Sequence, residues 1–471
     1  MPGPLWQWPA LDLAHAIRAK DVSAREVMAA HLTRIEQVNP PLNAIVTFDP
    51  ERALALAKAA DDRLAAGGAV GLLHGLPIAH KDLLPTKGMR TTYGSPIYRD
   101  HMPEESALIV ERAQRAGALS IGKTNTPEFG AGAQTFNPVF GSTRNPFDLA
   151  KTCGGSSGGS AVALSAGMVP LADGTDMGGS LRNPASFCGV VGLRPTPGLV
   201  PVWPAPDAWS TLSVDGPMAR TVADLALLLS AIAGPDARSP IAIDLDPARF
   251  SRSLEREVTG VRVAWWTGLG GVPFEPEVVE IVDRQRTVFE SLGCRVESEE
   301  PDFSGADDVF KVRRAVAFAT NLGELARTHR SQMKATILSE LDRAAKLTLD
   351  DVGRAARVGT EIHHRMRRFF ERHDVFVLPV AQVLPFDVGQ QAVTAINGVP
   401  MEGYIDWLRS CYYITVTGSP AIAVPCGWTA GGLPVGLQIV GRPRGEWELL
   451  QVAHAFEQAA AIERRWAVAA G

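Results

Sequence analysis

Two glycine-rich turns that each carry a serine constrain this chain more than any other feature. The first reads Thr152-Cys-Gly-Gly-Ser156-Ser157-Gly-Gly-Ser160, and the second reads Gly174-Thr-Asp-Met-Gly-Gly-Ser180. A small-residue helix, predicted over Ala161–Gly167, and a short apolar strand, predicted over Met168–Leu171, join them. Glycine adopts backbone conformations that are closed to other residues and lets main-chain N–H groups converge on a ligand. A serine on such a turn can attack a carbonyl while neighbouring amides stabilise the resulting oxyanion.

Other interpretations of the serine motifs fit less well. A phosphate-binding loop needs a lysine directly after its glycines, but Lys151 precedes them, and the dinucleotide pattern G-x-G-x-x-G is absent. Gly155–Gly159 matches the G-x-S-x-G nucleophile elbow of α/β-hydrolases, yet no apolar strand precedes it. Ser331-Gln-Met-Lys334 matches the S-x-x-K motif of β-lactamase-like enzymes, but the K-T-G and S-D-N motifs are missing. A flexible linker is disfavoured because apolar strands and a Gly-Leu-Arg-Pro-Thr turn follow the glycines.

Composition and charge exclude several classes of partner. With 46 basic and 51 acidic side chains and no basic block, the chain is predicted to bind neither nucleic acid nor a membrane surface. No apolar run approaches the ~18 residues that a spanning helix needs. The five cysteines are widely spread without a C-x-x-C pattern, which predicts reduced thiols in a cytoplasmic protein. No spacing predicts a metal site, and lone histidines such as His80 are interpreted as core or solvated residues.

Short apolar runs alternate with helical patterns, which predicts an α/β fold with a sheet covered by helices on both faces. Ser23 and Glu26 form a capping box at the start of the first helix, which is predicted to end at Asn39-Pro40-Pro41. A second helix is predicted over Glu105–Ala116. Besides Met168–Leu171, the predicted strands are Leu76–Ala79, Ala118–Ile121, Val261–Trp265, Val375–Leu378, Ala421–Val424 and Val435–Val440.

The whole chain, residues 1–471, is predicted to form a single large domain. The Pro- and Asp-rich stretch Gly234–Gly260 is interpreted as a surface connection. Residues from about 235 to 372 are predicted to be a variable, largely helical peripheral part, because the strands that follow belong to the same core.

Longer motifs accompany the two serine turns in a fixed order. Gly75-Leu-Pro-Ile-Ala-His-Lys81-Asp82 precedes them, and Cys188-Gly-Val-Val-Gly-Leu-Arg-Pro-Thr196 follows. Further motifs are Gly122–Phe129, Gly141–Pro146, Gly418–Pro425 and Gly432–Gly441. In this order they resemble the amidase-signature family. The likeness spans about Ser23 to Phe456 and is weak only between about Pro235 and Arg372.

The resemblance implies a central mixed sheet and a serine hydrolase that needs no cofactor. Ser180 occupies the position of the family's nucleophile, Ser156 that of a bridging serine preceded by a cis peptide bond, and Lys81 that of the base. The implied oxyanion hole consists of the backbone N–H groups of Met177, Gly178, Gly179 and Ser180.

The role implied for Lys81 requires an uncharged amine. An unperturbed lysine has a pKa of about 10.4, so about one in a thousand is neutral near pH 7.4. Burial disfavours the ammonium, and lowering the pKa by about three units costs roughly 4 kcal/mol. The apolar residues around the lysine motif make such a shift feasible. We predict that the adjacent Asp82 carboxylate points away, since it would oppose the shift.

Several residues around the triad have two interpretations or depart from the family pattern. Asp176 and Arg182 flank the nucleophile turn and either pair or are unrelated loop charges. Ser157 either hydrogen-bonds the lysine or caps the following helix. The departures, which remove no catalytic atom, are Asp173, Met177, Asn183 and Thr415.

Aromatic and apolar residues in variable segments are candidates for a substrate pocket. Because we find no fixed charge near them in the sequence, they favour an uncharged, partly aromatic substrate. Core packing is the alternative for each. The candidates are Tyr93, Phe129, Phe136, Trp203, Trp209, Tyr413 and Ile414.

We therefore predict a hydrolase that cleaves C–N bonds of small, uncharged amides through an acyl-enzyme on Ser180. The resemblance extends the range to aryl amides, esters and carbamates (urethanes). The expected partner is the small-molecule amide or carbamate, and a homodimer is left open. One alternative is the glutamine-hydrolysing component of a tRNA-dependent amidotransferase, which the tryptophan-containing segment Val200–Gly216 disfavours. The other is a non-catalytic binding protein.

Overall fold

The computed structural model describes residues 3–466. Its α-helices are α1 (Ala10–Ala19), α2 (Ala24–Leu42), α3 (Pro50–Ala65), α4 (Leu108–Arg115), α5 (Gly158–Ser165), α6 (Arg182–Cys188), α7 (Val222–Ile232), α8 (Pro276–Asp283), α9 (Arg286–Ser291), α10 (Ala306–His329), α11 (Ala335–Ala344), α12 (Leu349–Arg372), α13 (Arg409–Thr417) and α14 (Glu446–Ala460). Its strands are β1 (Ile45–Phe48), β2 (Pro77–Lys81), β3 (Leu119–Thr124), β4 (Phe136–Asn137), β5 (Gly141–Ser142), β6 (Leu171–Asp176), β7 (Val191–Arg194), β8 (Val214–Ala219), β9 (Arg262–Trp265), β10 (Arg295–Ser298), β11 (Val375–Pro379), β12 (Ala395–Ile396), β13 (Val399–Pro400), β14 (Ala421–Trp428) and β15 (Pro434–Gly441).

One 11-stranded sheet organises these elements, in the order β1-β3-β2-β6-β8-β7-β14-β15-β11-β9-β10. β2 is parallel to both of its neighbours, β3 and β6. The strands from β6 to β11 pair antiparallel, and β11, β9 and β10 are parallel again. The predicted mixed sheet is therefore confirmed.

Helices cover both faces of this sheet. Successive residues of a strand point to opposite faces, so each strand contributes side chains to both layers of helices. Ile78 and Leu171 belong to one hydrophobic cluster, which also contains residues of α1, α4, α7 and α14. The next residues along the same strands, Ala79 and Ala172, belong to a second cluster with residues of α2, α3 and α5. These two clusters lie on opposite faces of the sheet, and the predicted α/β arrangement is confirmed.

The strand predicted over Met168–Leu171 is wrong in its extent. The structure has β6 over Leu171–Asp176, beginning where the predicted strand ends. Pairing with β8 decides this, because it runs from Leu171 opposite Ala219 to Asp176 opposite Val214. This pairing places the carboxyl end of the strand directly before the second serine turn.

The helix predicted to begin at Ser23 is α2, and its capping box of Ser23 and Glu26 is present. Its predicted end at Asn39-Pro40-Pro41 is wrong. α2 continues through both prolines to Leu42. Asn43, in the left-handed conformation with a φ of 53°, ends the helix and donates its N–H to the carbonyl of Asn39.

The segment between residues 235 and 372 supplies both sheet and helices. β9 and β10 lie at one edge of the main sheet, while α10 packs against α11, α12 and α13. Within residues 3–466, no helix has both the length and the apolarity required to cross a bilayer. The five cysteines are all buried and form no disulfide within the described residues.

Candidate active site

Lysine and serine candidates meet at the carboxyl ends of β2 and β6, two neighbouring parallel strands. Lys81 is the last residue of β2, and Ser156 and Ser157 directly precede α5. Ser180 lies in the turn between β6 and α6, and its carbonyl accepts the N–H of Ser157 at 3.2 Å. Because the carboxyl ends of parallel strands lie at the same edge of a sheet, these distant segments converge there.

The amine of Lys81 is fully buried among three hydroxyl groups. Its Nζ lies 2.7 Å from Ser156 Oγ, 2.9 Å from Ser157 Oγ and 2.9 Å from Thr175 Oγ1. The structure records no side-chain cap by Ser157 at the start of α5, so this serine contacts the lysine instead. The peptide bond between Gly155 and Ser156 is cis.

Burial dominates the electrostatics of this amine. It lowers the pKa of Lys81 to about 7, although the charges of Asp176, Asp215 and Asp173 act to raise it. A large fraction of the lysine is therefore neutral near neutral pH. Among these acids, Asp215 is opposite Thr175 in the pairing of β8 with β6, and burial raises its pKa to about 7.

Asp82, which follows the lysine in sequence, points elsewhere. Its carboxylate accepts the N–H of Thr92 at 3.1 and 3.2 Å and the hydroxyl of the same residue at 2.5 Å. The prediction that this carboxylate avoids Lys81 is confirmed.

The turn that carries Ser180 is fixed by a buried ion cluster. Asp176 accepts two hydrogen bonds from Arg182, at 3.0 Å from Nη2 and 3.1 Å from Nε. Arg194 contacts the same carboxylate at 3.3 Å. Burial acts to raise the pKa of Asp176, but the two guanidinium groups hold this pKa well below its usual range. Asp176 and Arg182, for which the sequence left pairing open, therefore form an ion pair.

The Asp176 carboxylate also binds the backbone of the turn, which corrects one prediction. Its Oδ1 accepts the N–H of Gly179 at 2.9 Å. The assignment of this N–H to the oxyanion hole is therefore wrong, since the carboxylate already uses the proton. Met177, Gly178 and Ser180 line the cavity next to this turn.

A cavity of about 1200 Å³ opens above Ser156 and Ser180. Four of the predicted pocket residues line this cavity: Tyr93, Phe129, Trp203 and Trp209. The side chain of Trp209 is the most exposed of the four, at 73%.

The other three predicted pocket residues lie outside the cavity. Ile414 is on the face of α13 that packs into the hydrophobic core and is completely buried there. Tyr413 packs on Phe303, with 5.6 Å between ring centroids. Phe136, in β4, has the amine of Lys334 4.2 Å above its ring. Core and local packing, the alternative for each candidate, explains these positions.

Charged side chains also line the cavity, so the premise that no fixed charge stands near the pocket is wrong. They are Asp207, Asp215, Arg313 and Arg314. The aspartate on β8 and the two arginines on α10 reach the cavity only through the fold.

A buried pair that the sequence motifs did not predict lies directly behind Lys81. His80 Nδ1 lies 2.5 Å from Asp173 Oδ2, and Asp173 Oδ1 accepts the backbone N–H of Lys81 at 2.8 Å. His80 Nε2 contacts the hydroxyl of Ser120 at 2.8 Å. An aspartate and a histidine inside neighbouring apolar strands are the signal that could have revealed this pair.

One group of two glutamates and a histidine near β10 contrasts with the prediction of no metal site. In the part of the chain that the structure describes, Glu297, Glu299 and His373 lie close enough to share a cation. His373 Nε2 is already 2.9 Å from Glu299, which also pairs with Arg372. The Glu299 carboxylate is thus already engaged by His373 and Arg372, and none of the three residues lines the cavity.

Comparison with known proteins gives a consistent result. The Amidase family model matches residues 26–450. An acylamidase of Rhodococcus erythropolis is 35% identical over 451 residues, covering 95% of this chain and 94% of that protein. A glutamyl-tRNA(Gln) amidotransferase component of a Picosynechococcus species is 36% identical over 478 residues, covering 95% and 97%. The crystal structure of a bacterial aryl acylamidase of the amidase signature family matches with a TM-score of 0.90 and 28% identity, covering 97% of each chain.

Proposed function

This chain belongs to the amidase-signature family, and we propose that it is a free-standing amidase that hydrolyses small amides through an acyl-enzyme on Ser180. One observation carries the proposal: the buried amine of Lys81 lies 2.7 Å from Ser156 Oγ, beneath a cavity that Ser156 and Ser180 both line. A serine hydroxyl becomes a strong nucleophile only when a base removes its proton, and a neutral lysine supplies that base.

In the first half of the proposed reaction, Ser180 Oγ attacks the substrate carbonyl carbon. Ser156 accepts the proton of Ser180 and passes its own proton to the neutral Lys81. The backbone N–H groups of Met177 and Gly178 stabilise the oxyanion. The C–N bond then breaks as Ser156 returns a proton to the leaving nitrogen. The products of this half are a free amine and an ester on Ser180.

In the second half, water replaces the amine. Lys81 again draws a proton through Ser156, now from the water that attacks the ester carbonyl. The carboxylic acid leaves, and Ser180 regains its proton. An ester substrate would follow the same path and release an alcohol. A carbamate would release CO₂, an amine and an alcohol.

The cavity supports substrates larger than simple aliphatic amides. Its volume of about 1200 Å³ is above the range of roughly 300–1,000 Å³ that is usual for small-ligand pockets. Tyr93 and Phe129 stack with 6.4 Å between their centroids and give the wall an aromatic face. Aryl amides therefore head the proposed substrate range, and aryl esters and carbamates belong to it.

Glutamine hydrolysis within an amidotransferase remains the second candidate, because one component of such an enzyme is 36% identical to this chain. Trp203 and Trp209 at the cavity oppose it, since they enlarge an apolar surface that glutamine does not need. Glutaminase activity that required added partner proteins, with no activity on aryl amides, would establish this candidate instead.

The test is a hydrolysis panel of p-nitroanilides, aliphatic amides, glutamine and aryl carbamates. We expect turnover of p-nitroanilides by the chain alone and its loss in Ser180→Ala. Ser331→Ala is the matched control, because Ser331 is exposed and belongs to the rejected S-x-x-K motif. Its activity should equal that of the parent.

Labelling with a fluorophosphonate separates an enzyme from a binding protein on the same fold. Mass spectrometry should find the adduct on Ser180 in the parent and in Ser331→Ala, and no adduct in Ser180→Ala. A parent protein that forms no adduct and hydrolyses no member of the panel would end the proposal.

A further inference from the structure

Of the charged side chains that line the cavity, one arginine has no counter-charge. Arg314 pairs with Glu340, and Asp215 interacts with the charge of Lys81. Arg313 also lines the cavity, yet within residues 3–466 it makes no ion pair and no hydrogen bond. Its guanidinium is thus an unpaired cation at the wall of the substrate cavity.

The guanidinium occupies space that a glycine provides. A Cβ at Gly359, within α12, would lie 2.2 Å from Arg313 Nη2 and 2.9 Å from its Cζ. Gly359 does not have a positive φ, so its backbone conformation does not require glycine. Glycine destabilises a helix interior relative to alanine. Glycine at position 359 therefore leaves room for the Arg313 side chain between α10 and α12.

Arg313 also lies on the same helix as a residue that packs against the nucleophile turn. Phe310, one helical turn earlier on α10, packs against the nucleophile turn, since a Cβ at Gly178 would lie 2.9 Å from its ring. Three residues advance a helix by about 4.5 Å. Arg313 therefore lies one helical turn along α10 from the residue that packs on the nucleophile turn, and both side chains line the cavity.

The cation is partly withdrawn from water without compensation. Burial alone accounts for the lowered pKa of Arg313, with no acidic residue acting against it. Withdrawing an unpaired charge from water is unfavourable unless a partner supplies the opposite charge. No described carboxylate pairs with Arg313, so a ligand bound in the cavity can supply that charge.

We propose that Arg313 is a specificity-determining residue that binds a carboxylate at the end of the substrate remote from the scissile amide. The guanidinium presents parallel N–H donors that match the two oxygens of a carboxylate. A single negative charge fits, because Glu340 already neutralises the neighbouring Arg314. The substrate class is then amides with one terminal carboxylate, which refines the proposed function and rests on it.

Binding to the Ser180→Ala protein tests this without depending on turnover. One ligand pair is N-(4-nitrophenyl)glutaramic acid and its methyl ester, which place the carboxylate on the acyl side. A second pair, 6-benzamidohexanoic acid and its methyl ester, places it on the amine side. Calorimetry should show that the acid binds more tightly than the ester in at least one pair. The expected difference is about 10- to 100-fold, the usual effect of hydrogen bonds to a charged group.

Two variants in the Ser180→Ala background assign the effect to Arg313. Arg313→Gln should reduce the ratio of acid to ester affinity to near one. Gly359→Ala should reduce it as well, because the new methyl group displaces the guanidinium while leaving its charge in place. The matched controls are Arg327→Gln, at an exposed arginine of α10, and Gly323→Ala, whose Cβ meets no atom within 4 Å. Both controls should keep the parental ratio.

Equal binding of acid and ester in both pairs would overturn the inference. So would an acid preference that persists in Arg313→Gln. Failure of the proposed function is distinct, because it would appear as absent hydrolysis of the neutral p-nitroanilides by the parent protein, whatever the binding ratios.

Discussion

At the scale of single residues, the candidate site depends on the surroundings of one amine. Three hydroxyl groups contact the Nζ of Lys81, and no carboxylate does so within the described part of the chain. Hydroxyl groups solvate both the neutral and the charged amine, so burial is left as the dominant influence on the pKa. The carboxylates of Asp173, Asp176 and Asp215 act from further away and limit the shift.

This environment predicts a pH dependence of activity. Because the pKa of Lys81 is lowered to about 7, kcat/KM on a neutral p-nitroanilide should rise with pH through about 7 and then level off. Asp215 also titrates near this value, so Asp215→Asn is the control. Its loss of negative charge should keep the rising limb and move it to lower pH. A profile that is flat between about pH 6 and 9, or a limb that disappears in Asp215→Asn, would contradict the assignment to the lysine.

The same shift affects stability with a definite sign. Between the folded pKa of about 7 and the unfolded value of 10.5, the unfolded chain binds more protons than the folded chain. The free energy of unfolding therefore increases as pH rises through this interval, because the folded protein no longer has to bury a charged Lys81. Below pH 7 the buried ammonium destabilises the fold in full.

At the scale of elements, the glycines before and within α5 let the backbones around the site approach closely. A Cβ at Gly159 would lie 2.3 Å from the backbone N of Asn125 and 2.8 Å from the carbonyl oxygen of Ala44. These atoms belong to the main chain and cannot move aside as a flexible side chain does. The small-residue helix therefore packs against the segment that follows β3 only when this position is glycine.

Gly159→Ala should accordingly destabilise the protein by about 2 kcal/mol or more, the usual result of overpacking against rigid atoms. Gly323→Ala, in the open middle of α10, should instead stabilise it by about 0.5–1 kcal/mol because alanine favours the helix. Urea unfolding of the two variants measures both effects. If the two glycines responded alike, the close approach of α5 would not be the cause.

At the scale of the whole molecule, the buried ion cluster ties the sheet to the helices around the site. Asp176 ends β6, while Arg182 begins α6 and donates to the carbonyl of Cys411 at 3.0 Å and to Gln438 Oε1 at 3.1 Å. These acceptors lie on α13 and β15. The carboxylate of Asp176 thus balances the buried charges of Arg182 and Arg194. Arg182 in turn connects elements from distant parts of the chain.

Asp176→Asn should lower the free energy of unfolding by about 3 kcal/mol or more, since it leaves Arg182 and Arg194 buried without their counter-charge. Glu324→Gln, which breaks an exposed pair with Arg327, is the control and should have no measurable effect. The pKa of Asp176 is lowered on folding, so its contribution is complete above about pH 4 and is lost as pH falls further. Equal stability of Asp176→Asn and the parent protein at pH 7 would contradict this role.

Local features of the chain could be predicted because they depend on residues close in sequence. The capping box of Ser23 and Glu26 and the glycine-rich turns follow from such short-range requirements. The alternation of strand and helix patterns likewise predicted a sheet covered on both faces. Motif order predicted that Lys81, Ser156 and Ser180 belong to one site, and the structure brings their segments together.

The tertiary structure decided what depends on partners far along the chain. Pairing with β8 set the extent of β6, and the carboxylate of Asp176 took the N–H of Gly179. Packing also buried Ile414 and brought Arg313 to the cavity wall. A sequence shows which groups a segment carries and which conformations it favours. Which side chain faces a cavity, and which donor is already used, follows only when all segments compete for the same space and the same hydrogen bonds.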